Sequence, residues 1–303
     1  MIICIGELLA DMICERKGSD VYYKRCVGGA PFNVACAALR MGADVGFAGC
    51  VGDDAIGRSL YQNAAEKNFS RLVLRIHPDR NTTLAFVDLS PEGERSFTFY
   101  RKNTADYAMD PGILENLVCS ADIVHLGSLM LSEKDGRLFA SECVREVRKQ
   151  GKLLSFDVNF RSDIFPNKNE AAEIYSSFLD EADILKLSED ELELFSKDGN
   201  LKERMMFLSR PGKLIVVTLG REGAAYLYNK EYAEVASFKV VPVDTTGAGD
   251  AFFGALLAGL DKEGFQNLYE TVRLANACGA LTTTQYGSAE AVPSLRELNE
   301  IIR

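Results

Sequence analysis

The sequence predicts an α/β protein: a three-layer α/β/α core around a mostly parallel sheet, with a small β-sheet lid. Three observations predict it. Short, continuously apolar runs rich in β-branched residues recur along the chain, as strands covered on both faces require. Amphipathic stretches with helical spacing lie between them, the alternation that builds a parallel sheet. Two partly polar segments break this rhythm and suit a sheet exposed on one side.

In chain order, Ile2–Ile5, Val45–Cys50, Ile123–Leu126, Leu153–Asp157, Ile184–Leu187 and Leu214–Leu219 are the expected buried strands. Phe32–Arg40, Gly57–Lys67, Asp135–Gln150, Ala171–Asp180 and Ala251–Leu260 are the expected helices. The first lid piece is Val21–Val27, between the opening strand and a glycine pair. The second is a hairpin of Thr82–Leu89 and Ser96–Arg101 about the turn-rich Ser90-Pro-Glu-Gly-Glu94. These make the lid two insertions, near 12–27 and 80–102, in a single domain spanning 1–303. A ligand of such a sheet is expected beyond the carboxyl ends of its strands.

Composition narrows the function. The 303 residues are 47% hydrophobic and 26% charged, an ordinary balance for a globular chain with a sizeable core. A net charge of −10, with no basic run beyond pairs such as Arg101-Lys102, argues against nucleic acid or an anionic membrane as partner. Any anionic ligand must therefore be held by a local field. No run reaches the length of a membrane span. The eight cysteines form no Cys-x-x-Cys pair, and only His77 and His125 could join them at a metal. Most of them read as small buried hydrophobes, both histidines as structural, and the chain as cytoplasmic.

The strongest local signal is Asp244-Thr-Thr-Gly-Ala-Gly-Asp-Ala-Phe-Phe-Gly254. Gly247 and Gly249 permit a sharp turn that points successive N–H groups out of the start of a helix, an anion hole. Asp250 stands at its rim. It is either a plain helix cap or a base accepting a proton from an attacking hydroxyl, and this run alone divides evenly between the two. The chain has no Gly-Lys-Ser/Thr phosphate loop, and no Gly-x-Gly-x-x-Gly follows the first strand. The second signal is Gly28-Gly-Ala-Pro-Phe-Asn-Val-Ala35. Its glycines allow close approach to a ligand, Pro31 starts a helix, and Asn33 offers both donor and acceptor. The cation-free lining suits a neutral hydroxylated ligand, although the pattern alone is also a good helix start.

Together these stretches resemble the paired signatures of the ribokinase-like (PfkB-type) carbohydrate kinases, and the Gly-Gly-Ala-Pro-x-Asn-Val-Ala form is most similar to fructokinases. The resemblance runs over nearly the whole chain. It includes Ile5-Gly-Glu-Leu-Leu-Ala-Asp11, Ala48-Gly-Cys-Val-Gly-Asp-Asp-Ala-Ile-Gly57, Phe99-Tyr-Arg101 and Phe156-Asp-Val-Asn-Phe-Arg161. Thr218-Leu-Gly-Arg-Glu-Gly223 and Ala275-Asn-Ala-Cys-Gly-Ala280 follow in the expected order.

The resemblance implies a ribokinase-like fold and a role for each matching residue. Asp250 matches the general base, and Gly247, Ala248 and Gly249 the anion hole. Asp11, Gly28, Gly29 and Asn33 match sugar-binding positions, whose carboxylate and amide groups suit a polyol. Arg101 and Arg161 match positions facing the substrate or the phosphates. Thr218, Gly220, Gly223 and Asn276 match the nucleotide site, although Asn276 also sits among small residues suited to close packing. Many members carry Asn-x-x-Glu where this chain has Ser188-Glu-Asp-Glu191, so the amide donor is lost, while Glu191 keeps its link to Mg2+ through water. Asp244, Thr246, Thr282, Gln285 and Gly287 match a potassium-binding region.

The implied activity is transfer of the ATP γ-phosphoryl group to a sugar hydroxymethyl, with ATP and Mg2+, and K+ near the anion hole. D-fructose is the expected acceptor. 2-Keto-3-deoxygluconate, ribose or a nucleoside is the alternative, Arg101 being the cation a sugar acid would need. A non-catalytic sugar- or nucleotide-binding regulator is the rival of another class. The exposed lid face leaves room for a homodimer.

Overall fold

The computed structural model describes residues 1–18, 20–89, 95–165 and 167–302. The first strands are β1 (Ile2–Ile5), β2 (Leu9–Lys17), β3 (Asp20–Gly28), β4 (Val45–Gly52) and β5 (Arg71–His77). β6 (Leu84–Leu89), β7 (Arg95–Tyr100), β8 (Ile123–Leu126) and β9 (Leu153–Asp157) follow. The last are β10 (Ile184–Ser188), β11 (Leu214–Thr218), β12 (Gly223–Tyr228) and β13 (Glu231–Ala236). The helices begin with α1 (Ala30–Arg40), α2 (Ala55–Ala65), α3 (Leu114–Cys119), α4 (Lys134–Lys149) and α5 (Lys168–Glu181). They continue with α6 (Glu189–Leu192), α7 (Leu201–Phe207), α8 (Ala248–Glu263), α9 (Leu268–Thr282) and α10 (Leu295–Ile302).

Nine strands form the main sheet, in the order β13-β12-β11-β10-β9-β8-β1-β4-β5. It is parallel from β11 to β5, and β12 and β13 add an antiparallel edge. The six strands expected from continuous apolarity lie at its centre. The edge strands were not expected, for physical reasons. β5 interrupts its apolar residues with Arg71 and Arg75, and the β12–β13 turn is Asn229-Lys230 rather than a glycine pair. Both turn residues take positive φ, 48° and 72°, as a tight hairpin demands.

The expected lid is a second sheet, ordered β3-β2-β6-β7. Its β2, not expected as a strand, pairs antiparallel with β3 and parallel with β6. The hairpin pairs β6 with β7 antiparallel, and its expected turn at Ser90–Glu94 lies outside the described residues.

Apolar side chains fill both faces of the main sheet. On one, Phe32 of α1, Phe47 of β4 and Phe252 and Phe253 of α8 share a buried cluster with residues of α9. On the other, Phe139 of α4, Phe156 of β9 and Tyr175 and Phe178 of α5 share a second. Gly254 brings α8 close to α1: a Cβ there would stand 2.5 Å from both the Ala37 Cβ and the Val34 carbonyl oxygen. That approach sets the starts of the two helices side by side, and both signal stretches lie there.

Candidate active site

A cleft of about 380 Å³ opens between the carboxyl ends of the central strands and the lid. From the strand ends come Leu129, Asn159, Arg161 and Lys186; from the lid come Leu9 and Asp11 of β2 and Phe97 and Phe99 of β7. Gly29, Ala30 and Asn33 of the first signal and Thr245–Gly247, Gly249 and Asp250 of the second complete it. The two stretches, more than 200 residues apart in sequence, thus face one space, as expected.

Asp250 sits in the first turn of α8. The turn begins at Gly247, whose left-handed φ of 73° is easy only for glycine, and a Cβ there would meet the Ser288 Cβ at 2.6 Å. The first intrahelical bond runs from the Ala251 N–H to the Gly247 carbonyl at 2.8 Å, so helix geometry leaves the Gly249 and Asp250 N–H groups for a ligand. Asn33 Nδ2 donates to Asp250 Oδ2 at 2.8 Å, and Asn33 Oδ1 accepts from Ser288 Oγ at 3.3 Å. The amide therefore orients the carboxylate and is itself oriented. Burial pushes the Asp250 carboxyl above its ordinary range, against the lowering effects of the Asn33 bond, Lys186 and Arg161. A desolvated carboxylate of this kind is a stronger base than one in water.

Asp11 lies on the cleft face of β2. Gly28, on the neighbouring strand, leaves it room, since a Cβ there would stand 2.1 Å from Asp11 Oδ2. The Arg161 guanidinium lies 5.7 Å from the Phe97 ring centroid, a core-to-lid contact across the cleft. Arg101 is placed otherwise than expected. It is buried and does not line the cleft: its Nε donates to Asp106 Oδ2 at 2.9 Å, and its guanidinium stacks 4.5 Å over the Tyr107 ring. A buried guanidinium needs such a carboxylate partner, which draws it away from the substrate side.

None of the expected nucleotide residues lines the cleft; they lie together around the ends of β10–β13. Thr218 ends β11 opposite Ser188 of β10, and its Oγ1 donates to the Leu187 carbonyl at 3.4 Å. Gly223 pairs with Ala236, and Asn276 Nδ2 donates to the Val235 and Ala236 carbonyls at 2.8 and 3.4 Å. Asn276 thus ties α9 to β13, and Gly220 lies in the turn between β11 and β12.

Ser188 and Glu191 form a reciprocal capping box at the start of α6, and Glu191 Oε1 also accepts the Phe160 N–H at 2.7 Å. Both Glu191 oxygens hold backbone, one of them the loop that carries Arg161. Asp244 accepts from the N–H groups of Thr246, at 2.7 Å, and Gly287, at 3.1 Å, which joins two parts of the expected cation region. Thr282 Oγ1 donates to the Cys278 carbonyl at 2.8 Å, and Gln285 follows in the same loop. Thr246 Oγ1 is buried without a hydrogen-bond partner.

Lys186, Asp157 and Asn159 carried no role in the sequence reading. Lys186 is buried beside the first turn of α8, with Nζ 2.9 Å from each oxygen of Asp157. Asn159 lines the cleft in a left-handed conformation, φ 38°. The signal that could have found the first two is a charge inside an otherwise apolar buried strand, Lys186 in β10 and Asp157 ending β9. His125 is structural as expected, buried with Nδ1 3.2 Å from Ser155 Oγ, and burial lowers its pKa to about 3.

Known proteins share this arrangement. Residues 1–295 match the pfkB family carbohydrate kinases. A fructokinase-1 of Zea mays is 36% identical over 314 residues, covering 100% of this chain and 97% of that protein. A fructokinase with bound ATP from Xylella fastidiosa superimposes with a TM-score of 0.91 at 30% identity, over 99% of this chain and 97% of that one. A fructokinase of Vibrio cholerae O395 in its fructose-, ADP- and calcium-bound form gives 0.89 at 32% identity, over 100% and 98%. The ordered motifs, the lid over a parallel sheet and the match along nearly the full length agree, and the chain belongs to the pfkB family of carbohydrate kinases.

Proposed function

We propose that the chain is an ATP-dependent fructokinase, moving the γ-phosphoryl group of ATP to the hydroxymethyl of D-fructose to give fructose 6-phosphate. The observation that carries this is Asp250, fixed by Asn33 at 2.8 Å in a cleft that Asp11 also lines. In this reading Asp11, Asn33 and the Gly28-Gly29 backbone hold the sugar hydroxyls. Asp250 takes the proton of the attacking hydroxyl, and the α8 N-terminus at Gly247–Gly249 receives the charge of the transferring group. Arg161 faces the phosphates, and Phe97 and Phe99 of the lid exclude water. The nucleotide lies along Ser188, Thr218, Gly220, Gly223 and Asn276.

The named relatives support ATP and fructose as the substrate pair. Arg101, the cation expected to meet a sugar acid, is held by Asp106 outside the cleft, while Arg161 and Lys186 line it. Mg2+ bound with the nucleotide would screen its phosphates. In this reading the ion is ligated mainly by phosphate and water, with Glu191 acting through water. A potassium ion beside Asp244 and the 282–287 loop would give the buried Thr246 Oγ1 its partner. No described helix is long and apolar enough to cross a membrane, and a cytoplasmic location fits the chemistry.

The test is kcat/KM over fructose, 2-keto-3-deoxygluconate, ribose and a nucleoside, in potassium and then in sodium. Fructose should lead, and potassium should raise the rate. Asp250→Asn should lower kcat by about 10²–10⁴-fold with ATP binding intact. Since burial raises the Asp250 pKa, the neutral amide should cost no stability. An active Asn variant refutes the base, and preference for another acceptor refutes fructose.

A further inference from the structure

Among the described residues that line the cleft, Lys186 carries a full charge that the mechanism above leaves unused. It stands in β10 between the buried Leu185 and Leu187, and its side chain is only 8% exposed. Two features fix the ammonium. Nζ lies 2.9 Å from both Asp157 oxygens, and it would lie 3.4 Å from a Cβ built on Gly249. The charge therefore sits against the same helix turn whose N–H groups face the cleft.

A buried Lys–Asp pair is weak ground for a stabilising role, since apolar replacements of such pairs are often neutral or better. Its position offers another explanation. An ammonium has three N–H groups, and the bonds to Asp157 use two of them. Held by Asp157 and lining the cleft, Lys186 is a preorganised donor where charge develops during phosphoryl transfer.

We propose that Lys186 is a catalytic residue that binds the oxygens of the transferring γ-phosphoryl group, and that Asp157 is the positioning residue that holds its ammonium; this rests on the phosphotransferase reading. The sugar oxygen bonds to the γ-phosphorus, and the bond from that phosphorus to the β,γ-bridging oxygen breaks, its electron pair leaving on ADP. The hydroxyl proton passes to Asp250. Lys186 keeps its own proton throughout and contributes only charge and a hydrogen bond. The backbone N–H groups at the start of α8 and the ammonium then flank one phosphoryl group.

The test compares wild type with Lys186→Met, Asp157→Asn and the double variant Lys186→Met/Asp157→Asn. Fructose turnover is measured with calorimetric affinities for the magnesium complexes of ADP and of the β,γ-imido analogue of ATP. Lys186→Met should lower kcat by about 10²–10³-fold, the scale of a lost transition-state donor. It should weaken the imido analogue by about 10-fold or more and leave ADP within about three-fold, because only the analogue carries a γ-phosphate. Asp157→Asn should lower kcat more than it raises the KM for fructose. The double variant, which buries no unpaired charge and so guards against misfolding, should stay as slow as Lys186→Met. Recovery of the double variant to near wild-type turnover, or equal weakening of ADP and the imido analogue, overturns the proposal. If the wild type phosphorylates no sugar, the fructokinase reading fails, and the imido-against-ADP comparison still decides Lys186.

Discussion

Glu7 follows β1 and is buried to 1% exposure, where Oε1 accepts the Ala30 N–H at 3.1 Å and so tethers the start of α1. Its Oε2 has no hydrogen-bond partner and lies 4.0 Å from the Arg101 guanidinium, whose closer partner is Asp106. Burial raises the Glu7 carboxyl to about 7, opposed mainly by Arg101, with Asp106 adding to the rise. The folded-state pKa is above the ordinary 4.5, so the stabilising contribution is full below about 4.5 and is lost as pH rises through about 7. Glu7→Gln should therefore flatten the fall in Tm between about pH 5.5 and about pH 8, read by thermal denaturation at each. An unchanged difference in Tm would mean that Glu7 is ionised throughout. Residues of this kind were hard to read from sequence. Asp250 and Asn33 were legible because each sits in a glycine-rich signature, whereas Lys186 and Asp157 are single charges in apolar strands, 29 positions apart, and only folding pairs them. Arg101 misled for the same reason: its partner Asp106 is five residues on, in no recognisable pattern.

The helices α1 and α8 carry the two signatures, so their contact sets the distance from Asn33 to Asp250. Gly254, one turn beyond Asp250, is a point of close approach between them. Gly254→Val would drive a Cβ into the Ala37 side chain and the Val34 carbonyl, an overpacking that costs about 1–3 kcal/mol. It should lower Tm and, by shifting Asp250 from its amide, lower kcat more than it raises the KM for ATP. A stable, fully active valine variant would show that the helix contact does not govern the base. Elements were legible where one physical rule dominated. The central strands had continuous apolarity and the helices had amphipathic spacing. The edge strands β5 and β13 were not, because a strand with one open edge tolerates arginine and polar residues, and β12, paired on both sides, was hidden because its turn signal lay in Asn229-Lys230 rather than a glycine pair.

At the scale of the whole molecule, the outer face of the lid is the surface on which a second copy would pack. Alternation along its strands turns Asp11, Phe97 and Phe99 toward the cleft, and the register of β2, β3, β6 and β7 then turns Tyr23, Phe86 and Tyr100 outward. These three form a row with ring centroids 5.0 and 5.3 Å apart, and Tyr100 is 62% exposed. The homodimer expected from sequence would pack two such rows against each other, lid to lid. Such a dimer works against charge, because each copy carries −10. Its attraction must come from burying the aromatic row, and salt should strengthen it by screening the repulsion. Sedimentation velocity should therefore find a dimer that persists or tightens between about 50 and about 500 mM salt, and Tyr100→Asp should convert it to monomer with the core still folded. A wild type that sediments as a monomer at both salts would remove the lid from assembly. A dimer that dissociates in high salt would place the contact on ion pairs elsewhere on the surface.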